Sequence, residues 1–142
     1  FPTRRSSDLH GDPIRTHLLD TLVAQSVAIK KVQTPGGLWC TLLSEGEDTG
    51  SYEEASASAG FAYGLMKARR KRYIGGEYEE VAVKAVKAVI ENIDKDGELK
   101  KVSFGTGMGD TLQHYKDIPL TSMPYGQAMA IMALGEWLRV YI

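Results

Sequence analysis

The sequence is short of the features that settle a function class at a glance. Cys40 is the only cysteine, so the chain forms no internal disulfide, and a small apolar side chain is the simplest account of that residue. Net charge is equally scarce: 17 basic against 18 acidic side chains leave −1, which gives no field to draw in nucleic acid or an anionic membrane. No apolar run approaches the ~20 residues of a membrane-crossing helix. His10, His17 and His114 lack metal-ligand spacing, so no metal is expected. An initiating methionine is missing too. The opening stretch FPTRRSSDL has no apolar period and resembles translated sequencing-adapter read-through. Residues 1–11 are therefore expected to be a non-native or disordered leader, and compartment is left open.

What is present is helical periodicity. Asp12 is a good N-cap with Pro13 at the first helical position. Ile14, Leu18, Leu22 and Ile29 then share a face with Leu19 and Val23. Thr34-Pro35-Gly36-Gly37 stops this helix, and Leu38–Leu43 reads as a strand, followed by a polar loop, Ser44–Gly50. A second helix is expected from Ser51, where Ser51 and Glu54 have capping-box spacing. Its body is rich in Ala, Ser and Gly around Phe61 and Tyr63, which marks an interior helix with close neighbours. The cations Lys67, Arg69, Arg70, Lys71 and Arg72 gather at its C-terminal end, against the negative end of the dipole.

A third helix, from about Glu77 to Ile93, carries an apolar stripe of Tyr78, Val81, Ala82, Ala85, Val89 and Ile93. Asp94–Gly97 is a turn, Leu99–Phe104 a short strand, and Gly105–Met123 a long loop. A fourth helix over Pro124–Tyr141 bears only Glu136 and Arg139 as charges, so it too is interior. One unit thus occurs twice: amphipathic helix, Gly turn, short strand, polar loop, small-residue helix. Gly37 and Gly97 mark equivalent turns at a period of roughly 60 residues. The expected fold is all-α, about two helical hairpins of an α/α toroid with short strands in the connections. A ring of six such hairpins takes roughly 360 residues, and an open helical array fits the pattern equally well.

Three features could carry chemistry. These are Gly36–Trp39 with Ser51–Ser56, the cluster Gly105-Thr106-Gly107-Met108-Gly109-Asp110, and His114-Tyr115-Lys116 with Pro124-Tyr125-Gly126. Singly, each has a plain structural account. Trp39 suits a core aromatic, Glu54 a helix cap, and Arg69–Arg72 a solvated helix end. The glycine cluster lacks the Lys-Ser/Thr of a phosphate loop and reads as a flexible turn. Together they matter more, because both polar loops run into the N-termini of interior helices. That places Tyr52, Glu54 and Ser56 near Tyr125 and Gln127 at one mouth, where free N–H groups suit a carboxylate ligand. Trp39, Tyr52 and Tyr115 suit the flat face of a sugar ring.

Gly36–Trp39, Tyr52–Ala59, Gly105–Gly109 and the Tyr125-Gly126 helix entry resemble glycoside hydrolase families 88 and 105, collinearly from about Thr16 to Ile142. These are the unsaturated glucuronyl and rhamnogalacturonyl hydrolases. The resemblance implies a six-hairpin α/α barrel, of which 12–142 is the C-terminal portion, with the earlier hairpins missing. It implies an unsaturated uronyl oligosaccharide as substrate, and no cofactor. It also implies a chemistry in which an aspartic acid protonates the C4=C5 vinyl ether, water adds, and the hemiketal collapses. The essential aspartates lie in the earlier hairpins, so no catalytic residue is assigned here and the chain alone is expected to be inactive. The substrate-lining residues implied are Trp39, Tyr52, Glu54, Ser56, His114, Tyr115 and Tyr125. A helical-repeat binding module and another α/α-toroid carbohydrate enzyme, a lyase or an epimerase, are the alternatives. The apolar last helix, with Ile131, Leu134 and Leu138, argues against a module ending in a polar cap.

Overall fold

The computed structural model describes residues 11–142, so the expected leader lies outside the described residues apart from Gly11, as does His10. Helix α1 (Pro13–Lys31) starts as its sequence dictates, with Asp12 Oδ1 accepting the Ile14 amide at 2.9 Å and Pro13 opening the first turn. The turn that follows is closed by the Thr34 amide on the Leu38 carbonyl and the Gly37 amide on the Thr34 carbonyl, both 3.0 Å. Gly37 has φ +101°, a conformation that strains any residue with a Cβ. Strand β1 (Trp39–Cys40) then pairs antiparallel with β2 (Glu53–Glu54), Trp39 opposite Glu54, and α2 (Ala55–Arg70) follows directly.

The second unit repeats the first. Helix α3 (Glu79–Glu91) leads into a turn in which the Asp94 amide meets the Glu98 carbonyl and the Gly97 amide meets the Asp94 carbonyl, again both 3.0 Å. Strands β3 (Val102–Ser103) and β4 (Leu120–Thr121) pair antiparallel, α4 (Leu112–Lys116) lies between them, and α5 (Pro124–Tyr141) closes the unit. The repeat extends to single hydrogen bonds. Two residues past each glycine, a backbone amide is taken by a polar side chain from the fourth residue of the interior helix. Trp39 N donates to Ser58 Oγ, and Leu99 N to Gln127 Oε1, each at 2.9 Å. The chain is therefore all-α in architecture, two hairpins of the α/α-toroid kind with two-stranded ribbons in the connections.

The interior helices meet through small residues, as their composition requires. α2 packs on α5 and on α3, burying Ala55, Ala59 and Ala62 on one side and Ala130 and Ala133 on the other. A Cβ on Gly126 would stand 2.6 Å from Val102 Cγ2, so the start of α5 can lie against β3 only because it carries no side chain there. At the far end of the pair Arg70 holds Glu136, with Nε–Oε1 at 2.5 Å, and this hydrogen bond raises the Arg70 guanidinium further above its ordinary range.

Several expectations need correction. Ser51 does not cap α2: its Oγ accepts from Leu42 N at 3.0 Å, and the helix begins four residues later with Glu54 as N-cap. The strand expected over Leu38–Leu43 is two residues long, and so is the one over Leu99–Phe104. The long loop holds α4 and β4. The α-helix expected from Glu77 begins at Glu79 after a 3-10 turn over Gly76–Tyr78. Of the apolar stripe of α1, Leu22 and Ile29 pack on the core, while Ile14 and Leu18 are more than half exposed, since among the described residues nothing covers that half of the helix.

Candidate functional site

The two ribbons meet at the N-terminal ends of α2 and α5. There Ala55 N donates to the Lys101 carbonyl at 2.8 Å, and Ser103 N donates to Glu54 Oε1 at 3.1 Å. A cavity of about 570 Å³ opens over this seam. One wall is the end of β1 and the residues after it, Cys40–Leu43. The floor comes from α2 and its cap: Glu54, Ser56, Ala57 and Phe61. Ser103, Gly105 and Thr106 form the second wall, with Tyr115 from α4 and Tyr125 from α5.

Glu54 is buried, and both its oxygens are engaged. Oε1 accepts from Ser56 Oγ (2.7 Å) and Ser103 N, and Oε2 accepts from Ala57 N (2.6 Å). It caps α2 and ties it to the next unit, so this carboxylate is a structural anchor on the cavity floor. Ser103 is the hub on the other side. Its hydroxyl pairs with Tyr52 Oη at 3.1 Å, and its carbonyl accepts from Tyr125 Oη and, at 2.8 Å, from Gly105 N. Lys116 joins the two long loops, reaching Glu45 at 3.1 Å and the Thr49 carbonyl at 2.8 Å, and it pulls the Glu45 carboxyl below its usual range. Burial, with Glu47 nearby, pushes the Cys40 thiol up.

The residues singled out from sequence divide as follows. Glu54, Ser56, Tyr115 and Tyr125 stand on the cavity wall, and Tyr52 reaches it through Ser103. Trp39 does not. Its indole is 1% exposed, donates to the Ile29 carbonyl at 2.8 Å, and packs edge-on against Phe61 with centroids 5.3 Å apart. Trp39 is thus a core residue that backs Phe61, and Phe61 joins Tyr115 and Tyr125 in facing the cavity. His114 is exposed outside the wall, edge-on to Tyr115, and Gln127 is spent on Leu99 and Ser122. Thr106 belongs to the glycine cluster singled out from sequence, whereas Ser103 had no sequence signal of its own, because its place depends on pairing between the units. Phe61, the only phenylalanine on a small-residue helix, was the available clue. Among the described residues no group of three or more His, Cys, Asp or Glu is placed to hold a metal, and no helix is long and apolar enough to cross a membrane.

This arrangement has known counterparts. The sequence profile of Glycosyl Hydrolase Family 88 matches residues 10–141. The chain is 33% identical, over 81% of its length, to the unsaturated rhamnogalacturonyl hydrolase YesR of Bacillus subtilis, and covers 31% of that protein. Among solved structures, a possible member of the GH105 family from Klebsiella pneumoniae superposes with a TM-score of 0.88 at 54% identity. The superposition covers 93% of this chain and 34% of that one. A family 105 glycoside hydrolase from C. acetobutylicum superposes at 0.82 with 29% identity, covering 92% of this chain and 40% of that one. The chain thus spans about a third of the length of the relatives it matches. A profile match over nearly every residue, together with the same helix–ribbon–helix units, shows that this chain belongs to Glycosyl Hydrolase Family 88.

Proposed function

We propose that residues 12–142 are the C-terminal portion of an enzyme that removes 4-deoxy-enuronosyl residues from oligosaccharides, and that they supply part of its substrate pocket. The observation that carries this reading is the cavity, part polar and part aromatic, at the shared N-terminal end of two interior helices, in a chain of this family. Its hydroxyls and aromatic edges suit a sugar, and the first-turn amides of α5, which has no side-chain cap, suit the substrate's carboxylate. The one carboxylate on the wall, Glu54, is occupied by three hydrogen bonds. The acid that protonates C4 of the vinyl ether, before water adds at C5 and the hemiketal releases the sugar, is therefore assigned to hairpins that precede this chain. The chemistry requires no cofactor. A rhamnogalacturonyl substrate is favoured over a glucuronyl one by the name of the Bacillus relative.

The complete protein should abolish the ultraviolet absorbance of an unsaturated uronyl disaccharide as the conjugated double bond is hydrated. Persistence of that absorbance while saturated glycosides are cleaved would overturn the mechanism. The isolated chain should leave the absorbance unchanged. With Leu18, Ile131 and Leu138 all more than half exposed, it should also elute larger than a monomer, whereas a monodisperse, sharply melting monomer would count against the missing hairpins.

A further inference from the structure

The glycine-rich loop over residues 105–109 is held at both ends by tyrosine hydroxyls from different helices. At its start, Gly105 N donates to Tyr125 Oη at 3.1 Å, and that same hydroxyl donates to the Ser103 carbonyl. At its end, Gly109 N donates to Tyr115 Oη at 3.1 Å, and that hydroxyl returns a bond to the Gly109 carbonyl at 3.3 Å. Gly105 has φ +71° and closes a three-residue turn onto Ser103, a conformation that glycine adopts without strain. A segment with three glycines in five residues has little reason to hold one shape by itself. Here its ends are fixed by side chains that the α4 and α5 frames carry.

Between those two fixed points, among the described residues, the amides of Thr106, Gly107 and Met108 have no hydrogen-bond partner; Gly105 and Thr106 lie on the cavity wall, and Gly107 and Met108 are exposed beyond it. An unpaired amide fixed at the cavity wall, as that of Thr106 is, can receive a carboxylate or hydroxyl oxygen. We propose that Tyr115 and Tyr125 are positioning residues: they set this loop so that its amides hold an oxygen of the sugar acid, and their own hydroxyls do not contact the substrate. This deepens the function proposed above and rests on it. A contact of this kind, made away from the reacting double bond, would govern affinity and leave the chemical step alone.

The test uses the complete protein with Tyr115→Phe and Tyr125→Phe, each of which keeps the ring and deletes only the hydroxyl. Backbone amide exchange should quicken at Gly109 in the first variant and at Gly105 in the second. KM for an unsaturated uronyl disaccharide should rise about tenfold, the loss of one hydrogen bond's worth of loop order, while kcat holds. Unchanged exchange would overturn the clamp. A fall in kcat at constant KM would make the hydroxyls direct participants, and a lowered melting temperature with unaltered kinetics would leave them merely structural; either result sinks the proposal. If the wild-type protein does not turn over the disaccharide, the functional reading fails, and the exchange measurement still decides whether the hydroxyls hold the loop.

Discussion

Thr34–Leu38 and Asp94–Glu98 are the same turn made with different chemistry. In the first unit the Thr34 hydroxyl donates to the Leu38 carbonyl at 3.0 Å, and the turn is also held from outside: a Cβ on Gly37 would meet the Lys84 carbonyl at 2.9 Å and Ala88 Cβ at 3.2 Å, so α3 is pressed onto it. In the second, nothing lies within 4 Å of the corresponding position on Gly97. That turn is held from within, by Asp94 Oδ1 accepting the Asp96 and Glu98 amides at 2.9 Å and by Lys100 on Oδ2 at 2.9 Å. The helix starts differ in the same sense. Glu54 caps α2 and reaches across to Ser103, whereas Met123 offers α5 no side-chain cap. The repeat conserves a backbone path, and what secures the path changes with each unit's neighbours.

The largest effect that would break this comparison is expected at Glu54. Glu54→Ala leaves Ser103 N, Ala57 N and the Ser56 hydroxyl without their acceptor, which should cost roughly 3–5 kcal/mol in a urea melt of the complete protein. A loss below about 1 kcal/mol would show that the seam between the units does not depend on it. Gly37→Ala should rank next, at roughly 2–4 kcal/mol, since a left-handed backbone and a crowded Cβ act together. Gly97→Ala meets the same backbone with open space and should cost only about 1 kcal/mol. Equal losses would mean that contact with α3 contributes nothing to the first turn.

The smallest effect is one of acidity. Lys100, with the Glu98 and Asp96 amides, holds the Asp94 carboxyl below its ordinary value of 3.8. A depressed carboxyl stabilises the fold above that ordinary value, and the contribution is lost as pH falls through the lower, folded-state value. Thr34, at the equivalent position, does not titrate. In an acid titration followed by NMR, the Gly97 amide should therefore shift below pH 3.8 while the Ala85 amide, inside α3, stays put. Parallel movement of both would point to general unfolding instead.

Where local chemistry decides an element, the residues disclose it. Asp12-Pro13 starts α1, Pro124 starts α5 and the 60-residue spacing of Gly37 and Gly97 marks the repeat, because caps, fixed φ and left-handed turns are short-range effects. The capping box failed because Ser51 had a stronger alternative in the backbone of Leu42, which only folding brings near. From sequence, Trp39 reads both as a core aromatic and as a sugar-facing one for a similar reason. On a strand of two residues both faces are covered, so alternation cannot say which side meets solvent. The mouth itself was legible as a meeting of two helix starts. Ser103 was not, since its partners Glu54 and Tyr52 stand 49 and 51 residues away.

Those separations also set an order of events. The turns at Thr34–Leu38 and Asp94–Glu98 close loops of a few residues, which chains form within microseconds. The seam through Ser103 must bring together segments some fifty residues apart, with a correspondingly larger entropy of closure. The cavity wall is therefore expected to form after the turns. A variant weakened at Glu54 should recover its helices before it recovers the Ser103 seam, so protection of the Ser103 amide should lag recovery of helix.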